Sequence, residues 1–129
     1  MIVDSSALIA ILAKEPERRQ FIEAIVNSER VSIGAPTMLE TSIALRRFEP
    51  GLLGSLERFS AEARIRIVAF GAEHLAAAQE AYRRFGRASG HPARLNFGDC
   101  ISYAIATVAD EPLLFKGDDF IHTDVTPAA

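Results

Sequence analysis

The first eight residues, Met1-Ile-Val-Asp-Ser-Ser-Ala-Leu8, decide the plan of the fold. Two β-branched apolar residues are followed at once by an aspartate and two serines, and the chain then enters the apolar run Ala7-Leu-Ile-Ala-Ile-Leu12. This order predicts a two-residue strand, a turn at Asp4, and a helix over residues 7–13 that Ser5 or Ser6 caps. Asp4 is therefore expected at the carboxyl end of a strand.

Short apolar strands and amphipathic helices alternate along the rest of the chain. Pro16, Pro36 and the pair Pro50-Gly51 mark points where helices begin or end. This alternation predicts an α/β protein with a parallel sheet that helices cover on both faces. The predicted strands are residues 31–33, 65–68, 113–115 and 124–126, and the predicted helices are residues 16–28, 37–48, 52–63, 72–85 and 97–109.

Length and composition indicate one packed globular domain that spans residues 1–129. Of the 129 residues, 49% are hydrophobic and 24% are charged, which is typical of a folded chain rather than a disordered one. The net charge of -3 gives the whole chain no overall attraction for a phosphate backbone. Any contact with nucleic acid is therefore expected to be local.

Cysteine usage and hydropathy bear on where the protein works. The single cysteine, Cys100, has no partner for an internal disulfide and is predicted to be a thiol in the core of a helix. No run of about 18 apolar residues occurs, and no basic segment precedes the first apolar run. We therefore expect no membrane partner and a cytoplasmic location.

Four acidic residues, Asp4, Glu40, Asp99 and Asp118, stand where one predicted element gives way to the next. Ligands of open parallel sheets bind beyond the carboxyl ends of the strands, where Asp4 and Asp118 fall. Carboxylates gathered at one place need a compensating charge, and their hard oxygen atoms suit Mg²⁺ or Mn²⁺. The pattern predicts a divalent metal site that hydrolyses a phosphodiester.

Each acid also has a structural interpretation when it is taken alone. Asp4 suits a helix N-cap, Asp99 is favoured by the dipole of its helix, and the aspartates after Gly117 suit a turn. Glu40 is expected on the apolar side of its helix with Ile43 and Ala44, where it needs a partner, or on a solvated face paired with an arginine. The arginines available for that pairing are Arg46 and Arg47.

The segments Met1-Ile-Val-Asp-Ser-Ser-Ala-Leu8, Asn96-Phe-Gly-Asp99 and Leu113-Leu-Phe-Lys-Gly-Asp-Asp-Phe120, with the Glu40 helix, together resemble a PIN-domain ribonuclease of the VapC toxin type. The resemblance covers the whole chain. It implies a three-layer α/β/α sandwich with a mostly parallel central sheet, and a Mg²⁺- or Mn²⁺-dependent endoribonuclease that cuts tRNA or rRNA. It also implies a type II toxin-antitoxin system, with a homodimer and a VapB-like antitoxin in a hetero-oligomeric complex.

By position in the resemblance, Asp4 and Asp99 match the principal metal ligands and Glu40 matches the third acidic residue. We take Asp118 as the fourth catalytic acid. Asp119 is a further candidate metal ligand or the cap of the next turn. Ser6 and Thr123 are candidates to hydrogen-bond these carboxylates, and capping or solvent-facing roles are the alternative.

Positive charge is concentrated between the predicted helix 72–85 and Asp99, where it either grips RNA phosphates or forms a solvated face. Tyr82 and Phe85 are predicted to lie in the core. The basic residues are Arg83, Arg84, Arg87, His91 and Arg94.

Other functional classes fit the residues less well. A phospho-receiver domain would use Lys116 but needs an acidic pair beside its phosphorylated aspartate, and a haloacid-dehalogenase-like phosphatase needs a second aspartate where Ser6 stands. A PIN-like binding module without turnover is a third alternative, although all four acidic positions are filled.

Overall fold

The computed structural model describes residues 1–129 and has a four-stranded, all-parallel sheet as its middle layer. The strands lie in the order β3-β2-β1-β4, where β1 is Ile2–Val3, β2 is Ser32–Gly34, β3 is Arg66–Val68 and β4 is Leu113–Leu114. Six α-helices cover the sheet: α1 (Ser5–Leu12), α2 (Arg18–Val26), α3 (Ala35–Phe48), α4 (Leu52–Glu62), α5 (Ala72–Phe85) and α6 (Phe97–Ala109). Single 3₁₀ turns occur at Arg87–Ser89 and Phe120–His122.

The alternation of side chains along the strands divides the core into two layers. Ile2 and Leu113 face a cluster built from α5 and α6, whereas Val3, Ile33 and Leu114 face a cluster built from α1 to α4. Successive strand residues point to opposite faces, so each strand serves both layers. The predicted α/β/α sandwich is therefore confirmed.

Helix α1 begins two residues earlier than predicted because Asp4, rather than a serine, is its N-cap. The Asp4 carboxylate accepts a hydrogen bond from the backbone N–H of Ser6 at 3.0 Å. Most of the helix is buried, which explains why its sequence is apolar almost all round. Its buried residues are Ala7, Leu8, Ala10, Ile11 and Leu12.

The predicted strand at residues 124–126 is wrong. Only a single bridge joins Pro127 to Leu113, and proline has no backbone N–H with which to extend the pairing. The segment is held instead by Asp124, whose carboxylate accepts hydrogen bonds from the Tyr103 hydroxyl at 2.7 Å and from Arg84 at 3.1 Å.

Tyr82 was predicted to lie in the core, and that prediction is wrong, whereas Phe85 is buried as expected. Tyr82 is 46% exposed, and Leu75 is 52% exposed. The small residues Ala78 and Ala81 let α5 pack closely on α6, and the larger side chains at the margin of that contact stay outside it.

No helix is both long enough and apolar enough to cross a membrane.

Candidate active site

Asp4 lies at the carboxyl end of β1, and its side chain is only 4% exposed. Its Oδ2 accepts hydrogen bonds from the N–H and the hydroxyl of Ser6, at 3.0 and 2.6 Å, and its Oδ1 accepts one from Ser102 at 2.5 Å. Three donors satisfy this buried carboxylate and fix its direction. The predicted contact of Ser6 is confirmed, whereas Thr123 donates to the carbonyl of Phe120 instead of to a carboxylate.

Ser6 also joins Asp4 to the loop after β4. Its hydroxyl oxygen accepts a hydrogen bond from the backbone N–H of Lys116 at 3.0 Å. Because the same hydroxyl donates to Asp4, one side chain connects the ends of two neighbouring strands. This is the edge of the sheet where parallel strands present ligand sites.

Glu40 lies on α3, on the predicted face with Ile43 and Ala44, and it is exposed. The face it shares with Ile43 and Ala44 is apolar but open, since α3 packs on the core through Thr37, Thr41 and Leu45. Neither Arg46 nor Arg47 pairs with it. The Ser5 hydroxyl donates to Glu40 Oε1 at 2.6 Å.

Gly98 brings α6 against the Glu40 carboxylate. A Cβ at residue 98 would lie 2.9 Å from Cδ of Glu40 and closer still to its Oε2. Only glycine permits this approach, which places Glu40 beside the first turn of α6 and next to Asp99.

Asp99 is partly buried in the first turn of α6. Its Oδ2 accepts a hydrogen bond from the N–H of Asn96 at 2.9 Å, while Asn96 Oδ1 accepts one from the N–H of Asp99, so the two residues form a capping box. The pKa of Asp99 is raised to about 6. Burial is the largest cause, the hydrogen bond from the Asn96 N–H lowers the pKa, and the negative charges of Asp4, Asp119 and Glu40 raise it. Three carboxylates from other elements therefore act on Asp99.

One interaction distinguishes Asp119 from Asp118. Both side chains are exposed, but the negative charge of Asp119 raises the pKa of Asp99, whereas Asp118 is not among the groups that shift it. Gly117 has a φ of 99°, a left-handed conformation that turns the chain before this pair. The Asp119 side chain makes no capping hydrogen bond to the turn that follows. This arrangement favours Asp119 as the fourth acid, where the sequence had favoured Asp118.

None of the five candidate acids forms an ion pair with a lysine or arginine. The acidic partners in the ion pairs of the chain are Glu15, Glu17, Glu23, Glu80, Glu111 and Asp124. Lys116, which precedes Asp118 by two residues, pairs with Glu15 and Glu17 instead. The mutual repulsion of the acidic cluster thus has no compensation from basic side chains.

The donor set of the cluster suits a hard divalent cation. Its free oxygen atoms are all from carboxylates, which Mg²⁺ and Mn²⁺ prefer over nitrogen or sulfur ligands. No three acidic, histidine or cysteine side chains stand in a ready-made metal cage. Mg²⁺ keeps several waters and is usually held by only one or two carboxylates, so the cluster fits such an ion without a closed cage.

Cys100, next to Asp99, is buried as predicted. Burial raises the pKa of its thiol to about 11, with a further contribution from the negative charge of Asp99. The thiol therefore stays protonated at neutral pH and has the character of a core side chain rather than a nucleophile.

The basic residues near the site are only partly free for RNA. Arg83 pairs with Glu80, Arg84 pairs with Asp124, and the ring of His91 packs edge-on against Phe85. Arg87 and Arg94 form no ion pair and are exposed. Arg87 and Arg94 are therefore the two arginines of this group without an ion pair, and contact with RNA phosphates stays a prediction.

The raised pKa of Asp99 predicts how stability depends on pH in metal-free protein. The unfolded chain ionises Asp99 near its usual value of 3.8, whereas the folded chain retains the proton to about pH 6. The contribution of Asp99 to the free energy of unfolding therefore falls as the pH rises from 3.8 to about 6, and it stays low at higher pH. Asp99→Asn should remove this loss, so that the variant gains stability over the native chain at pH 7.5 but not at pH 4.

Urea unfolding in EDTA at the two pH values measures this difference. Asn retains an oxygen that accepts the Asn96 N–H, so the capping box is preserved in the variant. Equal differences between variant and native chain at pH 4 and pH 7.5 would show that Asp99 carries no such penalty.

Fold, strand-end acids and an open, uncompensated carboxylate cluster together define a known class of domain. The family model for the PIN domain matches residues 1–125. The chain therefore belongs to the PIN-domain family, and full-length relatives that are 41–45% identical to it and named VapC ribonucleases place it in the VapC group.

Relatives and solved structures agree with this assignment. The chain is 45% identical to ribonuclease VapC42 of Mycobacterium tuberculosis, over 99% of this chain and 98% of that protein. It is 43% identical to ribonuclease VapC28 of the same organism, over 99% and 97% of the two chains. Among solved structures, M. tuberculosis VapC20, described as a sarcin-ricin loop cleaving toxin, has a TM-score of 0.77 at 18% identity and covers 97% of this chain and 95% of that one. A toxin-antitoxin complex from Klebsiella pneumoniae has a TM-score of 0.68 at 16% identity and covers 92% and 88%.

The two structural likenesses concern the fold. Membership of the PIN family sets aside the phospho-receiver and phosphatase alternatives, in agreement with the pairing of Lys116 away from the acidic cluster.

Proposed function

We propose that the protein is the toxin of a VapBC-like type II toxin-antitoxin system and acts as a Mg²⁺- or Mn²⁺-dependent endoribonuclease. The observation that carries this proposal is that carboxylates from β1, α3 and the loop after β4 act on Asp99 of α6, and that none of these acids has a basic partner. Relatives that match nearly the whole chain are named ribonucleases, and this supports the same activity.

Each acid has a distinct part in the proposed reaction. Asp4 and Asp99, which are held by Ser6 and Asn96, are the fixed carboxylates that would bind the cation, with Asp119 beside them. A divalent cation bound there would lower the pKa of a water and neutralise charge on the phosphate. Glu40 is exposed and has Ser5 as its side-chain donor, and its carboxylate would accept the proton of the attacking water.

The test is to incubate purified, antitoxin-free protein with total tRNA and rRNA in Mg²⁺ or Mn²⁺, with EDTA in parallel. Discrete fragments that disappear with EDTA are expected, and their ends identify which RNA is the substrate. Intact RNA from folded protein that binds the metal would contradict ribonuclease activity and favour the PIN-like binding module without turnover.

A pair of neighbouring variants tests the fourth acid. Asp119→Asn should reduce cleavage by roughly 10-fold or more, because it removes a carboxylate that acts on Asp99, whereas Asp118→Asn should change it little. Initial rates at saturating Mn²⁺, together with Mn²⁺ affinity, measure both effects. The reverse order of the two variants would restore Asp118 as the metal-site acid.

We further propose a homodimer formed through the apolar face, which we define as the exposed parts of Leu39, Ile43, Leu75, Tyr82 and Phe97. These side chains on α3, α5 and α6 are 46–82% exposed, and Phe97 is the most exposed of them. Two grooves of about 490 and 750 Å³ flank Phe97 and share Pro36 and Ile101. A projecting aromatic residue beside open grooves suits a self-complementary interface between two copies.

Phe97→Glu should therefore convert the protein into a monomer, as measured by sedimentation equilibrium. Val26→Glu, at a 75% exposed apolar residue of α2 outside this face, is the matched control and should leave the dimer intact. A dimer that survives Phe97→Glu, or one that is lost equally in both variants, would contradict the apolar face as the interface.

The antitoxin, the RNA substrate and the cytoplasmic location follow from the same proposal. A VapB-like antitoxin from a neighbouring reading frame should form a hetero-oligomer with this chain and suppress cleavage of RNA. Co-purification with that protein, and recovery of activity after its removal, measure this interaction. Cleavage that is unaffected by a stoichiometric complex would contradict the inhibitory role.

A further inference from the structure

Two buried hydroxyl groups lie one helical turn from the site carboxylates. They belong to Ser102 on α6 and Thr37 on α3, which are 1% and 2% exposed, and we call them the buried hydroxyl pair. Ser102 follows Asp99 by three residues, and Thr37 precedes Glu40 by three, so each hydroxyl shares a helix face with a site carboxylate. The buried hydroxyl pair therefore connects the three elements that carry Asp4, Asp99 and Glu40.

The direction of these hydrogen bonds follows from their chemistry. An ionised carboxylate only accepts hydrogen bonds, so the Ser102 hydroxyl donates its one proton to Asp4 Oδ1, at an Oγ–Oδ1 distance of 2.5 Å. The Thr37 and Ser102 hydroxyl oxygens are 3.4 Å apart, and Thr37 must be the donor of that pair. The order is thus Thr37 to Ser102 to Asp4.

The site packing leaves this arrangement little freedom. A Cβ at Gly34 would lie 3.4 Å from Thr37 Oγ1 and 2.9 Å from Ile105 Cγ1. The Thr37 carbonyl meanwhile accepts a hydrogen bond from the Thr41 hydroxyl at 2.8 Å, which adds to the constraint on this turn of α3. Tightly packed groups hold one rotamer, and a hydroxyl in a fixed rotamer holds its acceptor in one direction.

We propose that Ser102, oriented by Thr37, is a positioning residue that sets the direction of the Asp4 carboxylate for binding a divalent cation. This inference rests on the proposed function. The N–H and hydroxyl of Ser6 hold Oδ2 from the surface side of the cluster, and Ser102 alone holds Oδ1 from the core. Loss of Ser102 therefore leaves Oδ1 without a donor and loosens the direction of the carboxylate about its terminal torsion. Thr37 acts only through Ser102, since its hydroxyl makes no other hydrogen bond in the chain.

The test is the affinity for Mn²⁺, measured by calorimetry on four variants in the absence of RNA. Ser102→Ala should weaken Mn²⁺ binding by roughly 10-fold, and Thr37→Val should produce a smaller loss that Thr37→Ser reverses. The double variant Ser102→Ala/Thr37→Val should bind no more weakly than Ser102→Ala alone, because Thr37 has no route to Asp4 without Ser102.

Thr41→Val is the matched control, because it removes an equally buried hydroxyl one turn further along α3 that does not lead to Asp4. It should lower the thermal midpoint of the metal-free protein without changing Mn²⁺ affinity. The proposal is overturned if Ser102→Ala and Thr37→Val change only the thermal midpoint, or if Thr41→Val weakens Mn²⁺ binding as much as they do. If Ser102→Ala does not fold, the comparison of Thr37→Val with Thr41→Val decides alone.

Failure of this inference differs from failure of the proposed function. Native protein that binds no Mn²⁺ would overturn both. Native protein that binds Mn²⁺ and cuts RNA, with unchanged affinity in Ser102→Ala, would overturn the positioning role alone.

Discussion

Asp99→Asn should lower the rate of RNA cleavage by roughly 100-fold or more while the protein stays folded. The substitution removes the negative charge at the centre of the acidic cluster but keeps an oxygen that accepts the N–H of Asn96. Because Asp99 interacts with Asp4, Asp119 and Glu40, no other single acid is placed to take over its role. Initial rates on the RNA identified as substrate, at a fixed Mn²⁺ concentration, measure the loss.

Asp110→Asn is the control for this substitution. Asp110 lies at the opposite end of α6, about 16 Å along the helix axis from Asp99, and its backbone is left-handed, with a φ of 52° that asparagine also adopts readily. It should retain native activity. Full cleavage by Asp99→Asn would mean either a contaminating nuclease or a catalytic centre elsewhere in the chain.

Gly98→Ala should reduce cleavage by roughly 10- to 100-fold, although alanine is the better helix former. The added methyl group would meet the Glu40 carboxylate, so that either Glu40 leaves its hydrogen bond with Ser5 or α6 moves away from α3. Both movements displace an acid of the cluster. Cleavage rates and Mn²⁺ affinity measure the effect, and circular dichroism confirms that the helices persist.

Gly54→Ala is the matched control, because a Cβ at this position in α4 would meet nothing within 4 Å. It should leave activity unchanged and raise the free energy of unfolding by up to about 1 kcal/mol. Native activity in Gly98→Ala would show that Glu40 is not needed in the position that the structure gives it.

The sheet and two of the acids were predictable because they depend on local sequence. Asp4 directly follows a β-branched pair, and Asp99 lies in the first turn of a strongly amphipathic helix, so periodicity alone placed both at element ends. Glu40 was identified as unusual for the right reason, an acid among apolar neighbours. Its surroundings were misjudged because periodicity does not distinguish an apolar face that packs on the core from one that remains open.

Contacts between distant segments were beyond the reach of the sequence. Ser102 meets Asp4 across 98 residues, and Gly98 meets Glu40 through the close approach of two helices. The one signal for Ser102 in the sequence is that it follows Asp99 by three residues and so shares its helix face. The preference for Asp119 over Asp118 rests on the interaction of Asp119 with Asp99, which lies in another element and which no spacing rule specifies.

Binding of Mn²⁺ to metal-free protein, followed by calorimetry for the native chain, Asp99→Asn and Asp110→Asn, tests the acidic cluster most directly. If carboxylates from four separate elements form one cation site, the native chain and Asp110→Asn should bind Mn²⁺ with the same affinity and Asp99→Asn should bind it at least about 10-fold more weakly. Equal binding by all three proteins, or none by the native chain, would contradict a metal site at this cluster.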